Sequence, residues 1–148
     1  MSSRSPPPAP TFRSAWPLLV AYSLLVCVLH FGGLEYDIYT RLWWWDLLTH
    51  SLSGVGVAAW LCLLPVSPVD PTRVVTVSLV VLGIGAGFEV YEYLFKDFYV
   101  EWTATYYAFD TAVDLVVDWL GAAAFARWYR HRLVAQPSSV PFSSEPAD

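Results

Sequence analysis

Seven titratable side chains stand at helical intervals in segments that are otherwise apolar. Asp46 and His50 are four residues apart, Glu89 and Glu92 are three apart, and Asp110, Asp114 and Asp118 recur every fourth residue. On an α-helix each set shares one face, the aspartates as a slowly drifting stripe. Carboxylates at mid-membrane depth cost about 2.5–3.5 kcal/mol each, so six facing lipid would cost on the order of 10 kcal/mol even with shallow positions discounted. That rivals the whole stability of a typical fold. These faces are therefore expected to turn toward one another.

The chemistry follows from charge balance. Six carboxylates share their depth with at most two histidines, His50 and His30, and the nearest fixed cations, Arg41 and Lys96, lie at the rim. An ion-pair network would need Lys or Arg at the same depth. Without one, the acids must be protonated, hydrated or neutralised by bound cations. Asp, Glu and His without cysteine suit a hard or borderline divalent metal ion such as Mg²⁺, Mn²⁺, Ca²⁺ or Zn²⁺. The candidate ligands are Asp46, His50, Glu89, Glu92, Asp110 and Asp114. His50, Asp114 and Glu89 are the candidate catalytic groups, which would move protons or polarise a bound water. His30 reads first as a hydrogen-bonded packing histidine, and Asp118 as a group that caps or bonds a neighbouring helix.

The composition supplies elements to position these groups. The 148 residues are 56% hydrophobic and 17% aromatic with 14% charged, and mean hydropathy is +0.46. A soluble domain carries roughly 25% charged residues. The expected fold class is all-α, an integral membrane four-helix bundle. A Pro/Ser-rich tail, 1–13, and a Ser/Pro tail, 136–148, read as disordered. They flank a transmembrane domain, 15–134, with helices at about 15–34, 42–65, 74–95 and 106–126. The first run is too long for the apolar core of a signal peptide and lacks a cleavage motif after it. Cys27 and Cys62 fall at different depths and read as packing residues, not a disulfide. No basic patch or nucleic-acid motif is present, which excludes nucleic acid as a partner.

Positive charge sets the orientation. With the N-terminus inside, Arg4, Arg13, Arg73, Arg127, Arg130 and Arg132 lie inside, and only Arg41 and Lys96 outside. Four helices then return both termini to the cytoplasm. The Trp43–Trp44–Trp45 run reads as an outer interfacial belt. At about 1.5 Å per residue, His50 lies roughly 12 Å below the outer end, Glu89 about 9 Å, and Asp114 about 12 Å. Independent segments thus carry their polar groups to one slab. Gly83 and Gly87 form a GxxxG motif, which predicts close helix packing, as do Gly54, Gly56 and Gly121.

The series Asp46-x-x-x-His50-x-x-x-Gly54, then Glu89-x-x-Glu92, then Asp110-x-x-x-Asp114 ending in Gly121, resembles the YjdF-like family of small prokaryotic inner-membrane proteins, distantly similar to VanZ-like proteins. Phe88 stands where that family often has Trp, and Asp118 matches a less regularly acidic position. The resemblance covers about 43–122. It implies an inner-membrane, multi-pass protein and supports the polar positions, while leaving the reaction open.

Three functions compete. A metal-dependent membrane hydrolase or transferase would act on a lipid-linked or headgroup substrate at the outer leaflet. A proton- or cation-coupled transporter would relay charge through the acids and, with four helices, would need a homo-oligomer. A non-catalytic scaffold would use the metal for stability. Expected partners are the lipid bilayer, a lipid or lipid-linked ligand, and further copies of the chain. Helix four continues below Asp118 as Gly-Ala-Ala-Ala-Phe-Ala, which closes a polar path and favours the first reading.

Overall fold

The computed structural model describes residues 9–65, 70–95 and 102–135. The outer tails 1–8 and 136–148, most of the turn after Pro65, and the rim cation Lys96 lie outside the described residues. The described chain is helical without strands: α1 (Phe12–Glu35), α2 (Ile38–Arg41), α3 (Trp45–Leu63), α4 (Val74–Phe95) and α5 (Ala104–Val134). Three of these, α1, α3 and α4, are long and apolar enough to cross a membrane. The 31-residue α5 is longer still but carries the three aspartates.

α1 and α4 each bury a narrow stripe and leave much apolar surface exposed, the pattern of helices facing hydrocarbon, while the central α3 buries a broader face. On α4 the buried stripe is Val77, Val81, Gly85 and Glu89, four residues apart. On α1 only Ala15, Leu19 and Gly33 are buried, while Leu18, Val28 and Phe31 are exposed. α1 begins three residues before the expected start. Thr11 and Ser14 cap its first turn reciprocally, and the Tyr129 hydroxyl donates to the Pro10 carbonyl. That bond ties residues 9–11 to the end of α5. The helix before α3 is also new: a left-handed turn at Asp37 (φ 53°) leads into α2, so α3 starts at Trp45 rather than Leu42.

The centre is a contact between α3 and α5. A Cβ on Gly54 would collide with the Asp118 carbonyl, and one on Gly121 with the Ser51 carbonyl. With no side chain at either position the two backbones come together. The contacts run in register, Ser51 beside Gly121 above and Cys62 near Tyr129 below, so the two helices are parallel. α4 packs along α5 and touches α3. α1 leans on α3, where the Tyr22 hydroxyl donates to the Leu52 carbonyl at 2.8 Å and Trp60 Nε1 donates to Ser23 at 3.0 Å. Gly56 makes room for the Tyr22 ring.

The GxxxG expectation is corrected. Nothing lies within 4 Å of a Cβ at Gly83 or Gly87, whereas a Cβ added to Gly85 between them would come within 2.7 Å of the Asp118 carboxylate. Two residues along a helix is about 200° of rotation, so Gly85 lies on the face opposite Gly83 and Gly87, in line with the buried Val77, Val81 and Glu89. At the other end of α4, Asp70 accepts from the Thr72 backbone and hydroxyl, which holds its carboxyl below the usual range. Cys27 and Cys62 are both free.

Alanine at these glycines discriminates the two surfaces. Gly54→Ala should cost about 1–3 kcal/mol by overpacking a backbone contact. Gly83→Ala should be neutral or stabilise by up to about 1 kcal/mol, since it only restricts the unfolded chain. Reversible unfolding in detergent measures both, and equal losses would contradict the packing described.

Candidate functional site

The acids meet where α3, α4 and α5 adjoin. His50, Glu89, Asp114 and Asp118 are all buried, each less than a tenth exposed. Asp46 is half-buried above them on the same face of α3. The Asp118 carboxylate accepts from His50 Nδ1 at 3.3 Å. With Asp118 ionised, Nδ1 carries a hydrogen, and Nε2 lies on the opposite side of the ring. There it stands 3.6 Å from Asp46 Oδ1 and 3.9 Å from Glu89 Oε1. Both distances exceed a hydrogen bond.

Asp46, His50 and Asp114 each present a donor atom within 4.8 Å of the other two. An ion about 2.0–2.5 Å from each donor keeps any two donors within about 5 Å. The three residues thus have spacing that could hold one cation. Glu89 adds a second observation: its Oε1 is buried without a hydrogen-bond partner, while Oε2 accepts from the Thr111 hydroxyl at 2.9 Å. The Tyr107 hydroxyl donates to the Glu89 carbonyl at 3.1 Å. Glu89 is therefore held from one side and presents a bare oxygen to the other.

Of the six expected ligands, Asp46, His50 and Asp114 are drawn together, and Glu89 reaches the same imidazole nitrogen. Asp110 and Glu92 stand outside that group. The cause is helical drift: residues four apart on a helix of 3.6 per turn rotate by about 40°. Asp114 and Asp118 reach His50 on α3, whereas Asp110, only half-buried, stays within electrostatic reach of Asp46, His50 and Glu92 without joining the cluster. Asp118 does bond a neighbouring helix, and the bond it makes orients the imidazole. His30 is a packing histidine with a specific partner, its Nδ1 lying 2.8 Å from the Tyr39 hydroxyl. That hydroxyl donates to Thr49 at 3.2 Å, and Thr49 donates to the Asp46 carbonyl at 2.9 Å. A hydrogen-bonded chain thus runs from α1 through α2 to the first turn of α3.

Thr111, Tyr107, Tyr39 and Thr49 were not among the sequence candidates. Thr111 and Tyr107 had a signal: with Asp114 and Asp118 they fall at i, i+4, i+7 and i+11, one face of α5. Tyr39 had none, because its contact depends on the turn at Asp37.

Among the described residues, no lysine or arginine is buried; the buried polar set is Thr49, His50, Ser78, Glu89, Asp114 and Asp118. Below Asp118 the interior is mostly apolar, Gly121, Ala122 and Ala126 against Ala58, Ala59 and Val77, with the buried Ser78 hydroxyl bonded to the Val74 carbonyl of its own helix. A model of the family described as "Predicted membrane protein (DUF2238)" matches residues 11–134. No curated protein and no solved structure matches the chain.

The Thr111 bond yields a direct test of the site's architecture. Thr111→Val should destabilise the protein by about 1.5–3 kcal/mol, the range for a hydrogen bond to a charged group. Thr111→Ser should stay near wild type. Unfolding in detergent measures the pair, and indifference to Val would show that Glu89 is not held by this hydroxyl.

Proposed function

Because the chain belongs to the DUF2238 family of predicted membrane proteins, we propose that its polar pocket binds a divalent cation and acts on a lipid-linked or headgroup substrate. The observation that carries this reading is a cluster of acceptors turned toward one another. His50 Nε2 faces Asp46 Oδ1 and a bare Glu89 Oε1, and Asp114 brings a carboxylate oxygen within 4.8 Å of donor atoms of Asp46 and His50. Acceptors that converge without a buried Lys or Arg call for a cation or a proton between them. One imidazole with several carboxylates suits a borderline or hard divalent metal.

In this reading Asp46, His50 and Asp114 hold the ion, and Asp118 fixes the imidazole as carboxylates do for metal-ligating histidines elsewhere. Glu92 and Asp110 extend the acidic wall. A cation there would polarise a substrate oxygen or activate water. Glu89 would act as acid or base, its position set by Thr111 and Tyr107. The protein is then a metal-dependent membrane hydrolase or transferase. All four long helices would cross the bilayer, with both termini in the cytoplasm of a prokaryotic cell and the pocket at the outer leaflet, consistent with the positive charges and the YjdF-like resemblance.

Transport through the same acids is the second reading. Below Asp118 the buried side chains among the described residues are mostly apolar, Ala58, Ala122 and Ala126 among them, and the Ser78 hydroxyl there is bonded to the Val74 carbonyl of its own helix, which favours the first. A metal-stabilised scaffold predicts binding without turnover.

Purified protein dialysed against Mn²⁺ or Zn²⁺ should retain the ion. His50→Ala and Asp114→Asn should lose it, and Asp118→Ala should weaken binding about 10–100-fold. Equal, negligible metal in all four proteins would sink the cation reading. Proton flux in proteoliposomes that requires Asp114 would favour the transporter, and metal-dependent cleavage of lipid phosphate esters the enzyme. A C-terminal reporter active only outside the cytoplasm would overturn the orientation.

A further inference from the structure

We propose that the cleft between α1 and α4 seats one hydrocarbon chain of a bilayer lipid, with the chain's polar end directed toward His50. The proposal deepens the reading of this pocket as a site for a lipid substrate, and it names where the apolar part of that substrate lies. A cavity of about 350 Å³ opens here, lined by α1, α3 and α4 and reaching His50 and Asp118. That is the size of a small-molecule site.

Three observations select a hydrocarbon chain as occupant. The mouth is on the flank that faces hydrocarbon, because Phe31 and Ile84 line the cleft and are themselves exposed. α1 packs on α3 and leaves α4, the two approaching where the rings of His30 and Phe88 lie 5.8 Å apart. Second, the cleft runs along the helices. Its α4 wall extends from Val81 to Tyr91, ten residues or about 15 Å. That is half of a hydrocarbon core about 30 Å thick, the depth of one leaflet. A slot of this volume and length is too narrow for a second helix about 10–12 Å across. Third, the lining is mostly apolar, and its polar members, His30, Thr49, His50, Ser53, Tyr91 and Asp118, leave Val26, Val57 and Val81 as a wholly apolar end, the division an amphiphile requires. The cleft meets the His50 ring and its partner Asp118, while Asp46 and Glu89 face Nε2 of the same ring, so a lipid seated here is separated from the proposed ion by the imidazole.

The test uses the full-length protein in proteoliposomes of phosphatidylethanolamine and phosphatidylglycerol. A fraction of the phosphatidylethanolamine carries a diazirine midway along one acyl chain. After photolysis, adducts are mapped by mass spectrometry. Labelling on α3 at Ser53 and Val57, which form the back wall, is the expected result. Ile84→Trp, at the rim, should abolish that labelling, and Cys27→Trp should do so from the α1 side. Val90→Trp, on an exposed face away from the cleft, should leave it intact.

Adducts confined to the outer faces of α1 and α4 would overturn the proposal. So would back-wall labelling that survives both rim variants, or back-wall crosslinks to a second copy of the chain. Metal content measured on the same samples separates the two readings. Labelling without metal leaves the lipid seat standing and removes the cation; metal without back-wall labelling removes the lipid seat alone.

Discussion

The backbone contact between α3 and α5 governs the rest of the molecule. Gly54 and Gly121 allow two parallel helices to approach until their main chains touch, and that approach sets how far His50 lies from Asp118. In hydrocarbon no hydrophobic force draws helices together, so small residues and interhelical hydrogen bonds must do it. Here both occur within one turn of each other. The same glycines that bring the helices together therefore place the imidazole between two sets of carboxylates.

Burial of acids makes this arrangement costly unless something compensates. Asp114, Asp118 and Glu89 are each almost completely covered, in surroundings where an uncompensated carboxylate is strongly disfavoured. Asp118 has the imidazole, and one oxygen of Glu89 has Thr111. The other Glu89 oxygen has no hydrogen-bond partner and lies 3.9 Å from His50 Nε2. Local geometry, rather than the number of acids, is what singles out this point of the pocket.

Much of this could be read from the chain alone, and the boundary is physical. Apolar runs and their lengths identify the segments that cross a membrane, since hydrocarbon imposes a length and a composition on any helix. The i, i+4 spacing of Asp46 and His50 places both on one face without any knowledge of the partner. What spacing omits is the rotation of one helix against the next. The exclusion of Asp110 from the cluster, and the two-residue offset that puts Gly85 rather than Gly83 or Gly87 in the interface, both depend on it. Asp118 illustrates the same limit. Its depth alone marks it as remote, and only its register against Gly54 and Gly85 shows that it orients His50. Tyr39 reaches Thr49 through a turn whose left-handed residue, Asp37, carries no distinctive sequence signal.

The account turns on His50 Nε2 and the carboxylates beside it holding one ion together. X-ray absorption spectroscopy of the Zn²⁺- or Mn²⁺-loaded protein addresses that shell directly. It should show one imidazole nitrogen among oxygen ligands, with the imidazole scattering lost in His50→Ala. An all-oxygen shell that is unchanged by that substitution would contradict the account, since the ion would then sit elsewhere on the acidic surface.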